Sequence, residues 1–265
     1  MPTLRKIRHR VAKSPLHRPL AWVRHRSLIS SDVFVASYPR SGNTWLRFML
    51  FEILLGRSPS FNHVDKVVPD IGKHDKASPV LPNLGRLIKT HEPYRQEYKK
   101  AIYLVRDARD VALSEFAYQK ALGLAEDDFD QFLERFLGGA VNPFGSWTEH
   151  VDSWVRAKDE ARAPILLVRF DELRRDPEAS LGKMMEFLSV TIDGEVIRRA
   201  VANNSVEKMR NQEKLNPVKA SAKGRFIRNG AVEGWREKFT DSQAKLVQQC
   251  AGSVLSRLGY SGAGS

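Results

Sequence analysis

Four short apolar runs punctuate the chain, at residues 33–37 (VFVAS), 86–89 (RLIK), 101–105 (AIYLV) and 165–169 (ILLVR). They are strand-length and rich in Val, Ile and Leu, as strands covered on both faces are. Between and after them apolar positions recur at helical spacing, which predicts helices over 43–55, 108–122, 127–137, 146–161, 177–188, 194–202 and 241–257. Strands alternating with helices predict a single α/β domain over 31–260, with a central parallel β-sheet flanked by helices and a P-loop-like nucleotide-binding core. Residues 57–85 break the pattern, with Pro59, Pro69, Pro79 and Pro82 and little periodicity. A stretch of that length is expected to be functional, here a lid beside the strand that follows it. In the segment GGAVNPFGSWTEHVDSW, Trp147, His150 and Trp154 stand at helical spacing and read as core.

The junctions between strands and helices carry the chemistry. The first strand runs through SYPRSGN straight into a helix, so successive backbone N–H groups and the positive end of the helix dipole face one place, which suits an anion. Arg40 adds charge, and Ser41 and Thr44 add hydroxyl donors. A nucleoside-triphosphatase loop would read G-x-x-x-x-G-K-[ST]; here Gly42 is the loop's one glycine, which argues against a P-loop kinase. The segment AIYLVRDARDVALSEF repeats the plan, with Arg106 at a strand end and Ser114 eight residues later. Two strand-end anion sites imply a ligand with two separated phosphates. The strand in RLIKTH delivers Lys89 and His91 to its carboxyl end, where open α/β sheets bind ligands, and the two-residue spacing puts both on one face. Near the C-terminus GRFIRNGAVEGWREKFT is a basic, glycine-punctuated segment able to close over a nucleotide.

These four segments together resemble the sulfotransferases that use 3′-phosphoadenosine 5′-phosphosulfate (PAPS) as donor. YPRSGNTW is similar to the family's 5′-phosphosulfate loop YPKSGTTW, with Arg40 for lysine and Asn43 for threonine. RLIKTH matches R-x-x-K-T-H, VRDARDVALS resembles the 3′-phosphate segment R-N-x-x-D-x-x-x-S, and FIRNGAVEGWREKFT resembles R-K-G-x-x-G-D-W with Asn229 for lysine. The resemblance implies transfer of a sulfuryl group to an acceptor hydroxyl on a glycan, glycolipid or small metabolite. It makes His91 the base, with Lys89 and Arg40 stabilising the leaving group. It implies donor contacts from Arg40, Ser41, Gly42, Asn43, Thr44 and Trp45, from Arg106 and Ser114, and from Phe226, Arg228, Asn229 and Gly230. Ser205 and Met209, in NNSVEKM, resemble adenine contacts, though Val206 stands where an aromatic is common. Phe170 occupies the place of a tyrosine, so a hydroxyl contact is lost. No metal cofactor is implied, and no metal-ligand spacing is present. The family's dimer motif is represented only by Arg236, Thr240, Asp241 and Lys245, which leaves the oligomeric state open.

Charge first suggests nucleic acid, since the chain carries a formal +12 and a pI near 9.9. Residues 1–30 hold eight of these charges and no acid, so the basicity is largely an N-terminal arm. Nucleic-acid binding would explain that arm but not the ordered anion sites, and the donor itself requires a basic pocket. The arm has two readings: peripheral contact with an anionic membrane face, or a solvated leader packing a few apolar residues on the domain. The second is preferred. With 265 residues and 42% hydrophobic content the chain can bury a substantial core, and no apolar run reaches transmembrane length. The single cysteine, Cys250, excludes an internal disulfide. It points to a cytoplasmic location and reads as a buried thiol in the last helix. Of the seven histidines only His91 has a catalytic context; His9, His17, His25, His63, His74 and His150 read as structural.

Overall fold

The computed structural model describes residues 23–124, 128–215 and 230–260. Four strands, β1 (Val33–Ser37), β2 (Leu87–Thr90), β3 (Ala101–Val105) and β4 (Ile165–Arg169), form one parallel sheet in the order β2-β1-β3-β4. The helices are α1 (Asn43–Leu55), α2 (Phe61–Val67), α3 (Ala108–Ala121), α4 (Phe129–Leu137), α5 (Trp147–Asp159), α6 (Phe170–Arg175), α7 (Pro177–Phe187), α8 (Gly194–Asn203), α9 (Val206–Leu215) and α10 (Asp241–Arg257).

Alternation along the strands sends side chains into two separate cores. Phe34, Ala36, Ile88, Tyr103 and Val105 meet α3, α4, α5 and α10 on one face, whereas Val33, Val35, Leu87, Ile102 and Leu104 meet α1, α2, α6, α7 and α8 on the other. Trp147, His150 and Trp154 are fully buried in the first of these, as their spacing suggests. Because β1 lies between β2 and β3, the chain leaves it in one direction and later returns to its other side. That is the topological switch point at which such sheets bind ligands, and it sits at the carboxyl end of β1.

The observed strands lie within a residue of the expected ones; β2 starts at Leu87, with the Arg86 carbonyl just before it accepting from the Val33 N–H at 2.9 Å. The Arg86 guanidinium grips Asp32 through two hydrogen bonds of 2.8 and 2.7 Å and also reaches the carbonyls of His74 and Ser27. The aperiodic stretch holds one true helix, α2, capped by Ser60 and burying Phe61, Val64 and Val67, followed by two 3₁₀ turns at 74–76 and 82–84. Cys250 corrects an expectation: it is exposed. Helix α10 buries Ala244, Val247, Ala251 and Val254, a stripe that places position 250 on the outward side.

Candidate functional site

The turn after β1 is held from below. The Tyr38 hydroxyl donates to the Gly145 carbonyl at 3.0 Å and accepts from the Asn142 amide at 2.8 Å. The chain then turns through two left-handed residues, Arg40 at φ 68° and Gly42 at φ 97°. A Cβ on Gly42 would lie 2.5 Å from the Phe170 ring, so only glycine fits this close packing. Helix α1 starts immediately afterwards with no side-chain cap and no acid in its first turn, which leaves its amides for an outside acceptor. The Ser41 hydroxyl is buried without a hydrogen-bond partner, a polar atom of the kind an anion would satisfy. Asn43 faces the other way: its amide nitrogen donates to the Val35 carbonyl at 3.1 Å and the Ser37 hydroxyl at 3.2 Å, so its side chain braces the loop, while its Oδ1 is buried without a hydrogen-bond partner.

The second anion site abuts the first. Arg40 Nε lies 3.4 Å from the Ser114 hydroxyl, and its guanidinium stacks over Tyr118. Arg106 donates to the Arg40 carbonyl at 3.2 Å and to the Ala231 carbonyl at 2.8 Å while covering the Phe170 ring. A small cavity opens here, lined by Arg106, Ser114, Gly230, Ala231 and Lys238 among others. Asp110 in its wall has its carboxyl pushed up by burial and accepts the Trp235 N–H at 3.1 Å, which ties the C-terminal segment down. Phe226, Arg228 and Asn229 lie outside the described residues, while Gly230, at φ 58°, packs beside Phe170 and Arg174.

Trp45 borders this region from α1. Its indole N–H donates to the Asn204 carbonyl at 2.8 Å, and Arg174 lies over its ring. Ser205 is exposed and accepts from the Lys208 N–H at 3.3 Å, whereas Met209 is buried below the surface.

At the end of β2, His91 is held in one tautomer. Its Nδ1 lies 2.7 Å from the Ser37 carbonyl, which only accepts, so the proton sits on Nδ1 and Nε2 carries the lone pair. Burial first, and the Lys89 charge second, push its pKa down to about 3 against the opposing Ser37 hydrogen bond. The imidazole is therefore neutral at physiological pH. The backbone here is equally fixed, since the His91 carbonyl accepts from His150 Nε2 at 3.0 Å and the Glu92 carbonyl from the Trp154 indole at 3.1 Å. Lys89 reaches Asp70 at 3.0 Å, and its own pKa is lowered by burial. Phe144 stands 5.9 Å from the His91 ring, centre to centre. Glu92 faces away, toward Arg24 and His25. Burial alone would raise its carboxyl, but the His25 hydrogen bond and the Arg24 charge hold it at about 2.

The two candidate anion sites and the Lys89–His91 pair thus meet at one end of the sheet. Asp70, Asn142, Phe144 and His150 join them without any sequence signal of this role, because only the strand order and the packing of distant segments bring them there; Ser37 and Tyr38 stand in the SYPRSGN segment, but nothing in it shows that they support His91 and the loop. These titrations also predict an acid weakness. His91, and His150 at about 4, resist protonation when folded but accept it near 6.5 when unfolded, and Glu92 behaves alike between 4.5 and about 2. In each case the unfolded chain binds more protons as pH falls, so stability is lost on acidification. The melting temperature should drop steadily from pH 6.5 to 4 in a calorimetric series.

Comparison with known proteins agrees with this fold. Dog sulfotransferase 1B1 is 29% identical over 237 residues, covering 80% of this chain and 79% of its own, and human sulfotransferase 2B1 is 30% identical over 243 residues, 82% of this chain and 64% of its own. The crystal structure of mouse sulfotransferase SULT7A1 complexed with PAP superposes with a TM-score of 0.69 at 25% identity, over 89% of this chain and 88% of that one. Retinol dehydratase, in a complex with retinol and PAP, shares the fold with a TM-score of 0.71 at 21% identity, over 90% of this chain and 86% of that one. The family model described as the sulfotransferase domain matches residues 30–259, nearly the whole described sheet and its helices. The chain therefore belongs to the sulfotransferase family.

Proposed function

We propose that this sulfotransferase takes its sulfuryl group from PAPS and passes it in line to an acceptor hydroxyl, with His91 as general base. The observation that carries this reading is the convergence of two anion sites, around Ser41 and around Arg106 and Ser114, with a base whose lone pair is fixed on Nε2. Ser41, Thr44 and the first amides of α1 would hold the 5′-phosphosulfate, and Arg106, Ser114 and Gly230 the 3′-phosphate. Trp45, with Ser205 and Met209, would border the adenine, and Phe170 would support the loop from below. Phe226, Arg228 and Asn229 keep the donor contacts that the resemblance implies.

The chemistry follows from charge. His91 Nε2 takes the acceptor proton as the new sulfur–oxygen bond forms, and Lys89 and Arg40 stabilise charge on the phosphate oxygen as the old bond breaks. Arg40 brings a planar fork where the family has a point ammonium, and its tie to Ser114 makes it a bridge between the two anion sites. A hydroxyl of a glycan, glycolipid or small metabolite remains the acceptor class proposed.

For the arm, the docking of Arg24 and His25 on Glu92 and the packing of Leu28 against the core support the reading of a leader that packs on the domain. Cytoplasmic location is proposed from cysteine usage.

The donor assignment is tested by substitution. Arg106→Ala and Ser114→Ala should each weaken binding of adenosine 3′,5′-bisphosphate (PAP) by roughly tenfold or more, the scale of a lost charge-assisted contact, and leave adenosine 5′-phosphate nearly unaffected. Equal losses for both nucleotides in titration calorimetry would remove the 3′-phosphate from this site.

A further inference from the structure

Asp70 is a carboxylate that neither the motifs nor the donor contacts account for. It lies in the stretch before β2, where the backbone is stitched to that strand: the Ile71 N–H donates to the Lys89 carbonyl and the Lys89 N–H to the Pro69 carbonyl, both at 2.8 Å. Asp70 and Lys89 form a parallel bridge. The position of the side chain is therefore set by ladder hydrogen bonds rather than by a loose loop. One carboxylate oxygen accepts from Lys89 Nζ at 3.0 Å, while the other makes no hydrogen bond among the described residues. The side chain is 48% exposed, so the carboxylate is open to solvent as well as to Lys89.

The surrounding charges define what Asp70 does. Lys89 and His91 face it from β2, and Arg47 faces it from α1; Asp65 of α2 is occupied by Arg47 at 2.9 Å. Its partial burial would raise the Asp70 carboxyl, but Lys89, followed by His91 and Arg47, holds it at about 2, and it is ionised at neutral pH. A fixed, ionised acceptor of hydrogen bonds thus stands beside the base, on the side away from the two anion sites.

We propose that Asp70 is a specificity-determining residue of the acceptor site, selecting acceptors that carry a second hydroxyl or an ammonium near the reacting hydroxyl and excluding anionic ones. The proposal rests on the assignment of His91 as base, since that assignment makes this side of Lys89 the acceptor side. A hydroxyl or ammonium donates to the open oxygen of Asp70. A carboxylate or sulfate placed there meets a like charge whose cationic neighbours are already engaged, Lys89 by Asp70 itself and Arg47 by Asp65. A carboxylate that served only to hold Lys89 would leave the ranking of acceptors unchanged when neutralised.

The test uses the full chain and its Asp70→Asn variant with three matched acceptors: octyl glucoside, octyl 2-amino-2-deoxyglucoside and octyl glucuronide. Transfer from radiolabelled PAPS and binding to the PAP-loaded protein are both measured. The parent should prefer the neutral and cationic glycosides over the glucuronide by about tenfold or more, the scale of a like-charge penalty. Asp70→Asn should shrink that preference to about threefold or less, chiefly by improving the glucuronide. An unchanged ranking in Asp70→Asn, a parent that prefers the glucuronide, or a PAP-loaded parent that binds none of the three would overturn the proposal. Asp70→Ser serves as a second variant and should behave as Asp70→Asn does. PAP affinity separates the two levels: a parent that fails to bind PAP removes the donor assignment itself, whereas normal PAP binding with an unchanged ranking removes Asp70 alone.

Discussion

His91→Ala is expected to lose on the order of a hundredfold or more in turnover while binding PAP as tightly as the parent. The two halves of this result have separate causes. His91 touches neither anion site; its hydrogen bonds run to Ser37, so its removal leaves the Ser41 hydroxyl, the α1 amides, Arg106 and Ser114 where they are. What is lost is the one lone pair held at the end of β2 in a defined tautomer. The imidazole is neutral down to about pH 3, so its Nε2 lone pair is unprotonated at physiological pH. Lys89→Ala should behave differently, impairing both PAPS binding and turnover, because its charge is felt in the ground state and in the transition state. Titration calorimetry paired with single-turnover transfer from labelled PAPS checks both variants. A His91→Ala protein with near-normal turnover would shift the base to another group on the acceptor side.

Gly42→Ala should cost about 2–4 kcal/mol of stability, combining overpacking with a left-handed backbone that alanine resists. The new methyl would stand 2.5 Å from Cε2 and 2.6 Å from Cδ2 of Phe170, and φ is 97°. Phe170 has little room to retreat, since it is buried, carries Arg106 on its face and meets Trp45 edge-on. The loop must move instead, and its amides with it, so PAP affinity should fall by on the order of a hundredfold, as expected when several converging hydrogen bonds are misaligned. The double variant Gly42→Ala/Phe170→Leu should recover part of the stability, because it relieves the clash but not the φ strain. Chemical denaturation and PAP titration of the two proteins separate these contributions. Unaltered PAP affinity in Gly42→Ala would mean that the loop amides do not hold the donor.

The parts of this fold that could be read from the chain are those whose signal is local. Residues 33–37 and 101–105 are buried on both faces and so read as unbroken apolar runs. The anion loop announces itself because Arg40, Ser41, Gly42 and Thr44 are neighbours in sequence as well as in space. Helix α2 was hidden by its length of seven residues and the proline before Ser60, which gave too few turns to show a period. Cys250 reads as buried but is exposed, because the apolar composition of α10 does not reveal which stripe faces inward; packing against the sheet decides that. Asp70, Ser37 and Phe144 carried no signal of these roles. Asp70 reaches Lys89 only because residues 69–71 pair with β2, and Ser37 meets His91 only because β1 and β2 are neighbours. Asn43 opens α1, and its buried amide turns toward β1, which no spacing rule distinguishes from an outward hydroxyl.

The measurement that bears most directly on a two-phosphate donor site is the thermal shift with PAP, set beside ATP and NAD at equal concentration. A ligand that binds only the folded state stabilises by RT ln(1 + [L]/Kd), so at equal concentration the tighter ligand gives the larger shift. PAP is the one of the three whose phosphates match both the α1 amides and the Arg106–Ser114 cavity. It should raise the melting temperature far more than ATP or NAD does, and equal shifts with all three nucleotides would contradict the account.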